Sequence, residues 1–406
     1  MGRRLFGVAV IMASLAGCGG GGGAGTGGGA SSGVTTPMVN VHTITVNGGP
    51  APPYPNGVFT SVDICEPGTA ICQTVSGILV DTGSIGLRVL ASAITNITLA
   101  PLLDAQGNTI ENCAAFVDNS FLWGSVAKAD LKFGGETASA AVIQVVSSSS
   151  TNIPTGCAGS GMTLQNTPAL LGANGILGIG QEPTDCTYPG LKNYCDGSIN
   201  KVPNASYWAC QNGVCTTNAS AAVVPASQQV VNPVILFPTD NNGVIVTFPS
   251  VVGTENTVNG TITFGIGTQT NNALGSAQIV QLDSNGNFST TLQGQVLAGS
   301  FLDSGTNAFA FPSSIAVCQG VPYYCPGSVQ NWQAITNGVT VSFSIDNADT
   351  LFQQNQNASV FSTLGAPGSA GSFDFGLPFF YGRSVFSSID GQTVTGVATS
   401  SPWVAY

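Results

Sequence analysis

Short stretches in which apolar and polar residues alternate dominate the chain, and a period of two is the mark of half-buried strands. Val41-His42-Thr43-Ile44-Thr45-Val46 alternates in this way and runs into Asn47-Gly48, a hairpin dipeptide. Further Asn-Gly pairs begin at Asn56, Asn174, Asn212, Asn242, Asn259, Asn285 and Asn337. Between them lie apolar or β-branched runs at 140–147, 232–237, 244–248, 261–264 and 340–344, read as strands. Sustained 3.6-residue periodicity is scarce, and short helices are expected only at 312–318 and 347–356. The pattern predicts a mostly β protein built from many hairpins.

The stretch 181–228 departs from it, with four cysteines, several Asn and Pro, and little alternation. It reads as a disulfide-rich insertion or a connection between lobes, and a boundary near 228 divides the chain into a first lobe, 39–228, and a second, 229–406. The two share a signature. The first contains Gly77-Ile78-Leu79-Val80-Asp81-Thr82-Gly83-Ser84, the second Gly299-Ser300-Phe301-Leu302-Asp303-Ser304-Gly305-Thr306. Each has a glycine four before the aspartate, two apolar residues just before it, and Ser/Thr-Gly-Ser/Thr after it. Each is followed by an apolar segment with glycine: Ala173-Asn174-Gly175-Ile176-Leu177-Gly178-Ile179-Gly180, and Phe373-Asp374-Phe375-Gly376-Leu377-Pro378-Phe379-Phe380.

Composition narrows the chemistry these motifs can perform. With 43% hydrophobic residues among 406, the chain can build a core despite its 54 Gly and 22 Pro. Eight Lys and Arg against 19 Asp and Glu give a net charge of −11, too few cations to neutralise many phosphates, so nucleic acid is excluded as a partner. His42 is the single histidine. A Ser-His-Asp triad, a Cys-His dyad or a multi-histidine zinc site would each have to be built on it. Carboxylate chemistry remains open.

Residues 1–18 have the form of a secretory signal: Arg3 and Arg4, an apolar stretch from Leu5 to Ala16, and small residues before Cys18. Leu15-Ala16-Gly17-Cys18 resembles the lipobox of bacterial lipoproteins, which implies that Cys18 carries lipid, against a plain secretory peptide with a chance cysteine. Gly19 in place of an Asp implies the outer membrane, with the protein facing the periplasm or the cell surface. Residues 19–38 form a Gly-rich tether, and membrane contact is expected through the lipid anchor only. An exported chain can keep disulfides. Removing Cys18 leaves ten cysteines, with Cys65 near Cys72, Cys186 near Cys195, Cys210 near Cys215 and Cys318 near Cys325, while Cys113 and Cys157 remain. Five mostly local disulfides is the simple reading, although spacing alone does not fix connectivity. A zinc site is the alternative, weakened by the lack of any Cys-x-x-Cys pair and of supporting histidine.

A single Asp-Thr-Gly is also an ordinary turn. Two copies, 222 positions apart and each at the end of an apolar strand, are hard to explain that way. Related lobes would bring Asp81 and Asp303 together. Two carboxyls at hydrogen-bonding distance share a proton, one serving as base and the other as acid, and a water between them can hydrolyse an amide without histidine or metal. One member must be charged and one neutral, so activity is expected on the acid side of the pH scale.

These motifs resemble the pepsin-like aspartic peptidases. ILVDTGSIGLRVL at 78–90 looks like the first active-site loop of that family, ANGILGIG at 173–180 its hydrophobic-hydrophobic-Gly segment, and SFLDSGTNAFAFP at 300–312 its second loop. GTITFGIG at 260–267 and FDFGLPFFYGRSVFSSIDG at 373–391 resemble its second-lobe strand and closing segment. The resemblance implies a bilobal acid-protease fold with two six-stranded-barrel-type lobes and the active site between them. It implies Asp81 and Asp303 as the catalytic pair, Thr82, Gly83, Ser84, Ser304, Gly305 and Thr306 as their support, a polypeptide substrate, no cofactor or metal, and a monomer. Thr306 is expected to hydrogen-bond the second carboxylate and lower its pKa.

Three departures stand out. The flap tyrosine of the family is missing; Phe121-Leu122-Trp123-Gly124-Ser125 occupies the region, making Phe121 or Trp123 the candidate replacement for its ring. Arg88 stands where the family often has tryptophan, and Ile85 follows the first supporting serine. The sequence therefore reads as an exported aspartic endopeptidase, against two rivals: a pepsin-fold protein that binds peptide or glycan without cleaving it, and a structural or adhesive surface lipoprotein.

Overall fold

The computed structural model describes residues 40–157, 161–188, 190, 192–197 and 206–406; the expected signal 1–18 with Cys18, and the tether 19–38, lie outside them. Six strands of the first half close a barrel: β2 (Gly57–Cys65), β3 (Cys72–Asp81), β4 (Ile85–Leu90), β6 (Ser120–Phe133), β7 (Glu136–Val146) and β8 (Gly175–Ile179). Their order is β2-β3-β8-β4-β7-β6, with β6 returning to β2. A further strand, β5 (Thr109–Ala115), extends β6 as a hairpin.

The first strand, β1 (Val41–Asn47), carries this sheet out of the barrel and into the second half. It continues through β11 (Val258–Phe264), β10 (Gly243–Thr247), β20 (Ser384–Ser388), β21 (Trp403–Ala405) and β12 (Ile279–Gln281). A separate, nearly closed seven-stranded sheet forms the second lobe. Its order is β17 (Val339–Ile345), β16 (Gln330–Thr336), β13 (Phe288–Leu292), β14 (Gln295–Leu302), β19 (Asp374–Phe375), β15 (Phe309–Phe311) and β18 (Gly365–Pro367). The molecule is mostly β and bilobal, as the motif pattern predicts. One apolar cluster runs through both halves, from Ile44 and Val80 to Leu302, Phe375 and Val404, so the lobes share a core.

Four of the runs read as strands lie in β7, β10, β11 and β17. The fifth does not. In 232–237 the chain makes a 3-10 turn, Pro233–Leu236, because Pro233 has no N–H for a ladder and the Asn232 side chain accepts from the Val234 N–H. The expected helix at 347–356 is present as Ala348–Gln354, with Asn347 at its cap. The one at 312–318 is absent. Cys318 N–H bonds to the Tyr323 carbonyl and Cys325 N–H to the Ala316 carbonyl, so this chain folds back on itself across the Cys318–Cys325 disulfide and cannot make helical bonds.

All ten cysteines beyond Cys18 are paired: Cys65–Cys72, Cys113–Cys157, Cys186–Cys195, Cys210–Cys215 and Cys318–Cys325. Two of these bonds fall in the described part of 181–228. There β9 (Tyr207–Cys210) pairs with β5 and widens the hairpin.

A buried pair of carboxyl groups also joins the halves. Glu136, at the start of β7, hydrogen-bonds Asp240, which lies ahead of β10. Asp240 accepts from the Thr268 hydroxyl and, at 2.9 Å, from Gln269 Nε2. Burial and then Asp240 push the Glu136 carboxyl up to about 7. A carboxyl raised above its unfolded value stabilises the fold below the unfolded pKa, and that contribution is lost as pH rises through the folded one. Stability should therefore fall between pH 5 and pH 8 through this group, by about 1 kcal/mol once screening by nearby solvent is allowed for. Glu136→Gln, which cannot ionise, is expected to flatten that part of the slope in thermal unfolding at the two pH values; an unchanged slope would refute the assignment.

Candidate active site

Both copies of the repeat place an aspartate at the end of a buried strand by the same threading. In the first lobe β8 lies between β3 and β4, parallel to one and antiparallel to the other, with Asp81 opposite Gly178. A Cβ on Gly178 would stand 2.5 Å from the Ile85 nitrogen, so only glycine lets the strands close here. In the second lobe β19 lies between β14 and β15 in the same way, with Phe301 opposite Asp374 and Leu302 opposite Phe375.

The aspartates meet where the lobes face each other. Thr82 and Ser304, the residues that follow them, form a reciprocal clamp in the buried floor. The Thr82 N–H donates to Ser304 Oγ at 3.1 Å and the Ser304 N–H to Thr82 Oγ1 at 2.9 Å. Ser304 Oγ in turn donates to the Val80 carbonyl at 2.9 Å, and Thr82 Oγ1 contacts the Leu302 carbonyl at 3.4 Å. Each loop therefore satisfies the strand end of the other.

Above the clamp the supports repeat. Asp81 accepts from the Gly83 N–H at 2.8 Å and the Ser84 hydroxyl at 2.5 Å. Asp303 accepts from the Gly305 N–H at 2.7 Å and the Thr306 hydroxyl at 3.1 Å. A Cβ on Gly305 would lie 2.8 Å from Asp81 Oδ1 and 3.1 Å from Asp303 Oδ1; one on Gly83 would lie 2.6 Å from Asp303 Oδ2. The two carboxyls are within hydrogen-bonding distance of each other. Burial, then the charges of Asp81 and Asp374, hold the Asp303 pKa well above the usual carboxylate range.

Thr306 hydrogen-bonds Asp303 as expected, but the Asp303 pKa is raised rather than lowered. The Thr306 hydroxyl lies 2.7 Å from Asp374 Oδ2 and 3.1 Å from Asp303 Oδ2, and it has one proton to give. The donor is shared, and desolvation and like charge outweigh it. Asp374 was not among the expected site residues. It is 8% exposed, and burial pushes it up to about 8. The signal for it is an acid between two phenylalanines where the first copy of the repeat has Ile176.

A cleft of about 700 Å³ opens over the pair. The β5–β6 hairpin overhangs it with Phe116, Val117 and Asp118 at its tip. Phe121 and Trp123 do not line it. They are buried with the Cys113–Cys157 disulfide and Trp208, Trp123 meeting Trp208 edge to face at 5.4 Å. Tyr54 lines the cleft as well, its phenol raised to about 12 chiefly by burial and also by Asp81, Asp118 and Asp303.

Arg88 lies in the wall of the cleft as part of a buried polar cluster. It pairs with Asp185 at 3.0 Å and donates to Asn112 at 2.6 Å and Gln144 at 2.8 Å. Asp185 also accepts from the Tyr207 hydroxyl at 2.6 Å and from Asn112 Nδ2 at 3.1 Å. The cluster ties β4, β5 and β7 to the segment 181–228 at the root of the overhanging hairpin. A charged residue on the wholly buried strand IGLRVL demands an anion nearby, but its sequence position cannot be read from that demand.

Residues 36–406 match the model of a family described as protein of unknown function (DUF3443). No curated protein matches the sequence. Among solved structures, the crystal structure of an aspartic proteinase from Irpex lacteus superposes with a TM-score of 0.50 at 15% identity, covering 90% of this chain and 96% of that one. The likeness is one of fold.

Proposed function

For this chain, which belongs to the DUF3443 family, we propose the activity of an aspartic-type endopeptidase. The observation that carries the reading is the pair itself: two carboxyls from matched loops, clamped through Thr82 and Ser304, facing each other at the floor of one cleft. Asp303 holds the shared proton and Asp81 is the base. Asp81 takes a proton from a water held between them, and the hydroxide attacks the peptide carbonyl carbon while Asp303 gives its proton to the carbonyl oxygen. When the tetrahedral intermediate collapses, the C–N bond breaks, the nitrogen leaves with the proton that Asp81 had taken, and a hydroxyl of the intermediate returns its proton to Asp303 as the new carboxyl forms. The N–H groups of Gly83 and Gly305 fix each carboxyl at no cost in reorganisation. Leu79, Leu170, Leu171, Ile176 and Phe301 give the cleft an apolar wall suited to polypeptide side chains.

Cleavage of an unfolded protein across pH 3–8, inhibited by pepstatin, tests the reading. Saturable peptide or glycan binding without cleavage would favour the binding-protein alternative instead.

The proposed setting is the cell envelope, with the protein anchored through lipid on Cys18, and the five disulfides fit an oxidising compartment. Cys18→Ser is expected to move the protein from the membrane to the soluble fraction or to leave it unprocessed. Unchanged processing and membrane partition would refute the anchor.

A further inference from the structure

Asp374 is a carboxyl for which the two-aspartate mechanism has no use. Its Oδ2 meets the Thr306 hydroxyl at 2.7 Å, while its Oδ1 is buried with no hydrogen-bond partner among the described residues. The strands beside it, β14 (QVLAGSFL) and β15 (FAF), bring no titratable side chain. The charged groups that act on it are Asp81 and Asp303, both acidic, and no cation faces it among the described residues. A carboxylate in such a place would be uncompensated, so the group is built to hold a proton.

The geometry then forms a relay. With Asp374 protonated, its hydroxyl donates to Thr306 Oγ1, and Thr306 is free to donate to Asp303 Oδ2, 3.1 Å away. With Asp374 ionised, the Thr306 proton turns to the nearer Asp374 oxygen. Asp303 then loses that donor and gains a negative neighbour. Both changes make Asp303 keep its own proton.

We propose that Asp374 is a positioning residue of this site: a buried carboxylic acid that, through the Thr306 hydroxyl, sets the range of pH over which Asp303 keeps the proton it shares with Asp81. Its bearing on catalysis rests on the peptidase reading. The relay itself does not, because it concerns protons that can be followed without substrate. Ionisation of Asp374, as pH rises through about 8, holds the dyad's proton to still higher pH, so the alkaline end of the active range is extended.

The test compares the wild-type chain with Asp374→Asn and Asp374→Leu, each first shown to be folded by thermal unfolding. Carbon-13 NMR of carboxyl-labelled aspartates follows the titrations, and kcat/KM on an unfolded protein is measured across pH 3–9. Neither variant can ionise at 374, so the dyad loses its proton at lower pH. The alkaline limb of kcat/KM should move down by about one pH unit in both. The wild-type carboxyl that titrates near 8 should vanish, and the Asp303 titration should fall. If the Asp303 titration is the same in all three proteins, the proposal is overturned, whether or not the protein cleaves peptides. If the titration moves but wild type cleaves nothing, the relay stands and the peptidase reading falls.

Discussion

Replacing Asp81 by Asn is expected to cut turnover on an unfolded protein by about 10⁴-fold, because it removes the base that activates the water. Asp303→Asn should cost about as much, by removing the acid, and the double variant should be scarcely worse than either. Groups that act as one unit are not additive. The fold should hold. The introduced amide keeps an acceptor oxygen for the Gly83 N–H, and the Thr82–Ser304 clamp does not involve the substituted side chain. Thermal midpoints near that of wild type beside lost cleavage would separate catalysis from structure. Retained cleavage in Asp81→Asn would mean that the activity lies elsewhere.

The largest loss of stability is expected at Arg88. Arg88→Met leaves Asp185 buried beside Tyr207 and Asn112 without its cation, a change that costs about 3–5 kcal/mol at neutral pH. Burial already raises the Asp185 pKa, and Arg88 is the strongest influence holding it down. Without Arg88 it rises further. A carboxyl raised in the fold stabilises below its unfolded pKa and ceases to as pH climbs through the folded one. The deficit of Arg88→Met should therefore be small near pH 4 and full by pH 7.5, as urea unfolding at the two values would show. The double variant Arg88→Met/Asp185→Leu should recover most of the loss, because an apolar pair of similar volume carries no desolvation penalty. An equal deficit at both pH values, or no recovery, would contradict this account. Because Asn112 ties the cluster to β5, the overhanging hairpin should also loosen, and KM on a peptide substrate should rise with the stability loss.

The two predictions draw on residues of unequal visibility in the sequence. Asp81 and Asp303 stand out because the chain repeats the loop that holds them, and a repeated loop on two apolar strands has a geometric consequence: matched lobes bring matched positions together. The local disulfides were legible for a similar reason, since Cys65 and Cys72 or Cys318 and Cys325 are too near in sequence to wander far apart. Arg88 was visible as an oddity, but Asp185, 97 positions away, was not.

Residues whose structure departs from their local pattern follow the same division. The run 232–237 is as apolar as a strand, and Pro233 decides against one. Phe121 and Trp123 carry the aromatic character expected of a flap, but alternation along β6 turns them towards Trp208 and the Cys113–Cys157 bond. The turn residues Phe116 and Val117 reach the cleft instead. Which face of a strand meets substrate depends on register with a neighbour, and register is a property of pairs.

The class of fold and the identity of the two facing carboxyls follow from patterns repeated along the chain: alternation, turn residues and the doubled Asp-Ser/Thr-Gly loop. The environment of those carboxyls arises only on folding. The Thr82–Ser304 clamp joins residues 222 positions apart, Thr306 divides one proton between two acids, and Asp374 is buried with one carboxyl oxygen unpartnered among the described residues. Ionisation depends on distance, burial and the direction of a single hydroxyl hydrogen, and none of these is carried by local sequence; each exists only once distant strands have been brought to within a few ångströms of one another.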